Sequence, residues 1–130
     1  MSIVVQKYGG TSVANVLRIR HVAEKIAKTR QRGYDVVVVV SAMAGETDRL
    51  LGAAEALGGG LGETETDTVL AAGEQASAAL MALALKREGF QSQAVMGWSL
   101  PILVEGPPGG AKITDIHGEQ LDAMLSAGVI

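Results

Sequence analysis

Two rhythms of hydrophobic and polar positions divide this chain. Ile3-Val4-Val5 is a short β-branched run followed by Gln6-Lys7-Tyr8-Gly9-Gly10, which reads as a strand entering a tight glycine loop. From about Ser12 to Arg30 the rhythm becomes helical. Val16, Ile19, Val22, Ala23 and Ile26 recur at steps of three and four, while Arg18, Arg20, Glu24, Lys25 and Lys28 fall elsewhere. Gly33, tolerant of positive φ, stops that helix. Val36 to Val40 is an unbroken valine run, typical of a strand buried on both faces within a parallel sheet. Asp48 to Leu57 predicts a short helix, Gly58 to Gly62 a mobile connector, and Thr64 to Arg87 a long helix rich in Ala and Leu that ends at Gly89. Gln93–Met96, Ile102–Val104 and Lys112–Thr114 read as strands, the later ones at edges because Pro101, Pro107, Pro108, Gly109 and Gly110 punctuate the region. Gly118 to Ala127 predicts a helix capped by Gly128, and Val129-Ile130 looks like the start of another strand.

The resulting order, β-α-β-α-α-β, has connections long enough for crossovers. It predicts an α/β fold: a mostly parallel sheet with helices on both faces, a three-layer αβα sandwich. A chain that ends by starting a strand is expected to be the N-terminal part of a longer domain, so residues 1–130 are read as one truncated unit. In such sheets ligands bind beyond the carboxyl ends of the strands. That directs attention to Lys7–Ser12 and Ser41–Thr47.

Composition narrows the classes. Hydrophobic residues make up 48% of the 130 positions, enough for a core, and charged residues 19%. The net charge of −3 argues against general nucleic-acid affinity, which needs clustered Lys and Arg. The aromatics are Tyr8, Tyr34, Phe90 and Trp98, too scattered for a base-stacking platform. There is no cysteine, which excludes disulfides, thiolate metal sites and a thiol nucleophile. The longest apolar run, Ala78 to Leu85, is far short of the roughly 18 residues of a membrane span. No basic-then-apolar leader opens the chain, so a cytoplasmic location without membrane partners is expected.

The loop after the first strand carries the clearest chemistry. Gly9 and Gly10 let the backbone approach a ligand closely. Lys7 adds a positive charge, and Thr11 and Ser12 add hydroxyls, either of which could cap the following helix. Together they describe a phosphate site, although not a Walker loop, whose Gly and Lys spacing differs. Ser41 stands where the valine strand emerges, either orienting a small polar ligand or simply satisfying a strand end. Thr47 is a second candidate, or the N-cap of the Asp48 helix. Glu74 follows Gly73 within an apolar helix. An unpaired buried carboxylate is costly, so Glu74 either points into a polar site, meeting a ligand ammonium, or lies on the solvent face. Neither His21 nor His117 has metal-ligand spacing, and no protein metal site is expected.

Lys7-Tyr8-Gly9-Gly10-Thr11-Ser12-Val13, with Ser41-Ala42-Met43, Thr47-Asp48, and Ala72-Gly73-Glu74 followed by Ser77 and Leu80, resembles the aspartate kinases of the amino-acid kinase superfamily. The resemblance runs to the end of the chain. It implies an amino-acid kinase-like fold and ATP-dependent phosphorylation of the side-chain carboxylate of L-aspartate, with Mg²⁺ arriving with ATP. On that resemblance Lys7 is catalytic. Lys7, Gly9, Gly10, Thr11 and Ser12 bind phosphate, while Ser41, Thr47 and Glu74 bind aspartate. Two regions depart from the family pattern. Gln75 and Ala78 stand where Arg and Asn are common near the Gly-Glu pair, and Gly109-Gly110 replaces a His-Gly pair. The alternatives are a sister kinase acting on another amino-acid carboxylate such as acetylglutamate, or a non-catalytic phosphate- or amino-acid-binding module. An unfinished sheet edge invites self-association, so a homo-oligomer is also expected.

Overall fold

A computed structural model describes residues 1–130. The elements are β1 (Ile3–Tyr8), α1 (Val16–Gln31), β2 (Asp35–Val40), α2 (Glu46–Ala56), α3 (Thr64–Arg87), β3 (Ile102–Glu105), β4 (Lys112–Ile116) and α4 (Glu119–Ser126). β1 and β2 pair in parallel, with Val4 opposite Val36 and Tyr8 opposite Val40. β3 and β4 form a separate antiparallel hairpin. The α/β class and the parallel pairing therefore match the reading of the sequence.

Alternation along the paired strands sorts their side chains. Val4, Gln6 and Tyr8 share one face with Val36, Val38 and Val40. Against that face stand α1 and α3, which also pack on each other. The core is formed by Val13, Ile19, Val22, Ala23, Ile26, Val36, Met81 and Leu85, with Tyr8, Val38, Val40 and Leu80 at its margin. The helical stripe read from α1 is this core face, except for Val16, which stands exposed at the first position of the helix. A short polar chain crosses the margin: Tyr8 Oη donates to Gln6 Oε1 (3.2 Å), and Gln6 Nε2 donates to Thr29 Oγ1 (2.8 Å).

The valine run departs from expectation. Its second face is open: Val39 is 45% exposed, and on β1 the co-facial Val5 is 64% exposed. Nothing in residues 1–130 covers it, so burial on both faces is not realised here. Gln93–Met96 also forms no strand. These residues lie across a cavity of about 680 Å³ from β2, with no backbone hydrogen bond to it. Their one partner at strand spacing is Ile130, which bonds the Gln91 carbonyl and the Gln93 N–H, and a single rung does not make a ladder.

α3 is long and apolar enough to cross a membrane by length and composition. Here its Gly73, Ser77, Met81 and Leu85 are buried in contact with α1 and α2.

Candidate functional site at the strand ends

The carboxyl ends of β1 and β2 lie side by side, and their loops are stitched together. The Ser41 N–H donates to the Tyr8 carbonyl at 3.1 Å. Gly10 sits against the loop after β2 so closely that a Cβ there would lie 3.0 Å from the Ala42 carbonyl oxygen. A side chain there would push the Ala42 carbonyl back by a few tenths of an ångström, so glycine suits the approach. Gly9 faces open space, with nothing within 4 Å of a Cβ position. Lys7 and Ser41, distant in sequence, are thus anchored to one edge of the sheet.

The loop backbone itself explains the anion reading. The Ser12 N–H donates to the Gly9 carbonyl (3.0 Å) and the Val13 N–H to the Gly10 carbonyl (3.3 Å), closing consecutive turns. The N–H groups of Gly9, Gly10 and Thr11 have no acceptor in the chain. Three consecutive free amides, following Lys7 closely in the chain, leave donors available to an anion. This corrects the expected role of the helix: Thr11 and Ser12 do not cap α1. The helix begins four residues after Ser12, and Asn15 caps it, its Oδ1 accepting the Arg18 N–H at 3.0 Å. The dipole end of α1 is therefore displaced from the glycines, and the loop amides take its place.

Thr47 is not a cap either. Gly45, at φ +79°, occupies the cap position of α2 without a side-chain bond, and Thr47 stands exposed in the first turn. Its neighbour Glu46 is held by Arg49 through contacts of 2.9 and 2.7 Å. That guanidinium keeps the Glu46 carboxyl below its usual range. The pair had a sequence signal, opposite charges three apart in a first turn, but the reading of the sequence passed over it. Burial, by contrast, pushes the Tyr8 hydroxyl upward.

Gly73 explains how α3 reaches the site. A Cβ there would lie 3.2 Å from Leu50 Cδ1, 3.3 Å from Ala42 Cβ and 3.3 Å from Glu46 Cγ. The helix thus docks directly on the loop after β2 and the start of α2. Glu74, the next residue, is exposed and lines the large cavity with Ala71, Gln75 and Ala78. It makes no ion pair, and nor does Lys7. One turn further on, the Ser77 hydroxyl is buried without a hydrogen-bond partner. Gly9 to Ser12 and Ser41 lie on the two strand-end loops, Lys7 in β1 just before them and Thr47 in the first turn of α2, whereas Glu74 lines the cavity beside β2, which none of the other candidate residues borders. No group of three His, Cys, Asp or Glu side chains converges on one point.

The chain is similar to known proteins along its whole length. The model of the amino acid kinase family matches residues 2–130. An aspartokinase of Geobacillus stearothermophilus is 41% identical over the whole chain, which covers 32% of that protein. One of Mycolicibacterium smegmatis is 45% identical, again over the whole chain and 31% of the relative. The crystal structure of aspartate kinase from Synechocystis superposes with a TM-score of 0.79 at 34% identity, covering all of this chain and 21% of that one. The chain spans about a third of the length of the relatives it matches. With a family model covering nearly every residue, the chain belongs to the amino acid kinase family.

Proposed function

We propose that the chain forms the phosphate and substrate half of an ATP-dependent kinase acting on the side-chain carboxylate of L-aspartate. The observation that carries this reading is the free amide run of Gly9, Gly10 and Thr11 beside Lys7, held against the loop that bears Ser41. Residues of this type suit a phosphoryl group, whose oxygens accept hydrogen bonds and whose charge spreads in the transition state. Relatives named aspartokinase at 41 and 45% identity supply the substrate.

In the proposed reaction an aspartate carboxylate oxygen attacks the terminal phosphorus of ATP. The bond to the bridging oxygen breaks, leaving ADP and an aspartyl phosphate. The acceptor, with a pKa near ~4, is already ionised at neutral pH, so no general base is required. Lys7 neutralises charge on the moving group, the loop amides and the hydroxyls of Thr11 and Ser12 hold its oxygens, Ser41 and Thr47 orient aspartate, and Glu74 binds its ammonium. Mg²⁺ carried in with ATP supplies further charge neutralisation at the phosphates.

The test uses the full-length polypeptide with ATP and L-aspartate, trapping the acyl phosphate with hydroxylamine. Hydroxamate should form only with both substrates. Lys7→Ala should lower kcat by about 10²–10³-fold, as loss of one transition-state donor does, with little change in the KM for aspartate. Equal losses in both would remove Lys7 from the phosphoryl site. Hydroxamate formed from acetylglutamate but not aspartate would instead assign a sister kinase.

A further inference from the structure

One buried side-chain oxygen lacks a hydrogen-bond partner, the hydroxyl of Ser77, on a residue only 1% exposed. Stripping water from a hydroxyl without replacing its hydrogen bond is costly, so buried polar groups are as a rule paired. A serine inside a helix has a ready remedy, donation to the carbonyl four residues back. Thr68 takes it on the same helix, its Oγ1 donating to the Thr64 carbonyl at 2.9 Å. Thr29 does the same on α1 with the Lys25 carbonyl. Ser77 makes no such bond to Gly73.

The place of Ser77 in α3 is set by the buried stripe Gly73, Ser77, Met81 and Leu85. Residues four apart share one face of a helix, about 6 Å apart along its axis. One turn before Ser77, Gly73 rests against Ala42 and Glu46. One turn after it, Met81 belongs to the core cluster that holds Val13. Ser77 therefore lies between the point where α3 meets the loop after β2 and the point where it shares a core with the end of the loop after β1.

An acceptor is left over on the same loops. The Ala42 carbonyl accepts no backbone hydrogen bond, although Ala42 is only 4% exposed. Its oxygen lies against Gly10, 3.0 Å from where a Cβ would stand. Gly10 is also one of the three residues whose amides are free. An anion held by those amides thus bears on the Ala42 carbonyl through a single contact. A donor without an acceptor and an acceptor without a donor stand on packed elements, next to the part of the site that a ligand would move.

We propose that Ser77 is a positioning residue for the strand-end site. With a phosphoryl anion on the amides of Gly9, Gly10 and Thr11, the two loops settle together. The Ser77 hydroxyl then donates to the Ala42 carbonyl and fixes from beneath the loop that carries Ser41. The bond is absent in the free protein and present in the liganded one. The inference rests on the phosphate reading made above and adds to it a residue that touches neither substrate.

The test uses the full-length polypeptide as parent, Ser77→Ala and Ser77→Cys. Each is melted with and without Mg-ATP, and turnover is followed with hydroxylamine. Alanine removes a donor that is idle in the free protein, so the Tm without ligand should stay or rise. The increase in Tm brought by Mg-ATP should shrink. The KM for ATP should rise about 3- to 10-fold, as loss of one neutral hydrogen bond predicts, with kcat within about twofold. That is the opposite split from the one expected of Lys7→Ala. Cysteine, similar in size and a weaker donor, should fall between alanine and the parent. A Tm of Ser77→Ala that drops equally with and without ligand would overturn the proposal, because the hydroxyl would then be bonded in both states. An unchanged KM for ATP would overturn it too, leaving the hydroxyl idle in both. A parent whose Tm does not respond to Mg-ATP would instead remove the phosphate reading, and this inference with it.

Discussion

Glu46 shows how a single side chain carries a pH dependence. Its carboxyl is held below the ordinary value of 4.5 chiefly by the hydrogen bond from Arg49. A depressed folded-state pKa means the unfolded chain binds protons first as pH falls. The contribution of the pair is therefore present above the ordinary carboxyl range and lost as pH drops through the folded value. Because the pair is exposed, the effect is small. Urea midpoints measured from about pH 5 to about pH 3 should fall less steeply for Glu46→Gln than for the parent; parallel curves would mean that Arg49 does not favour the charged form. At this scale the sequence was legible where backbone chemistry is encoded by residue type. Gly9 and Gly10 could be read as a tight loop after a strand because glycine accepts the close approach found at Gly10. The caps were not, because Thr11, Ser12 and Asn15 have similar capping tendencies. The choice of Asn15 depends on the turns at Gly9 and Gly10 using the Ser12 and Val13 amides first.

The β3–β4 hairpin shows what an element alone cannot hold. Two isolated strands are marginal in water, and Leu103, Val104, Ile113 and Ile116 are all roughly half exposed or more. Its tip is tied down elsewhere. The Gly109 N–H donates to Asp67 Oδ2 in the first turn of α3 at 2.8 Å. Gly109, at φ +74°, lies so near the connector that a Cβ would stand 2.9 Å from the Gly62 nitrogen. Gly109→Ala should therefore detach the tip twice over, through the strained φ and through the clash with backbone. Exchange at the hairpin amides should rise while those of α1 stay slow, and a uniform rise throughout would mean that the tip contact is part of the global core. Asp67→Asn, which weakens the hydrogen bond but leaves the close approach, should give a smaller increase. The sequence marked Pro107 to Gly110 as turns and Gly58 to Gly62 as a connector, but the docking of the turn on the connector and on Asp67, 42 residues from Gly109, has no local signal.

Across the whole molecule, stability is concentrated. Sixteen of 130 residues are buried, well below what a closed domain of this length would hide. α1, α3 and Val36 on the covered face of the sheet carry twelve of them, while Ile3, Val5 and Val39 lie on the open face. Periodicity alone identified the covered side through α1. It did not reveal that the valine run would be half covered, because a β-branched run reads the same whether its second face is covered by its own chain or by other residues. This yields a contrast between positions of similar chemistry. Leu85, 1% exposed, should lose about 2–5 kcal/mol on substitution by alanine, a large share of the roughly 5–15 kcal/mol typical of a whole domain. Val39→Thr, at 45% exposure, should stay within about 0.5 kcal/mol in the 130-residue chain, as surface changes do. In the full-length polypeptide the same Val39→Thr change should cost about 1 kcal/mol or more if further residues cover that face, since a hydroxyl would then be desolvated against apolar neighbours. Chemical denaturation of both lengths measures the difference directly. An equal, small cost in each would mean that the face carrying Lys7 stays open to solvent even in the longer protein, leaving the loop of Gly9 and Gly10 accessible from the sheet side as well as from beyond the strand ends.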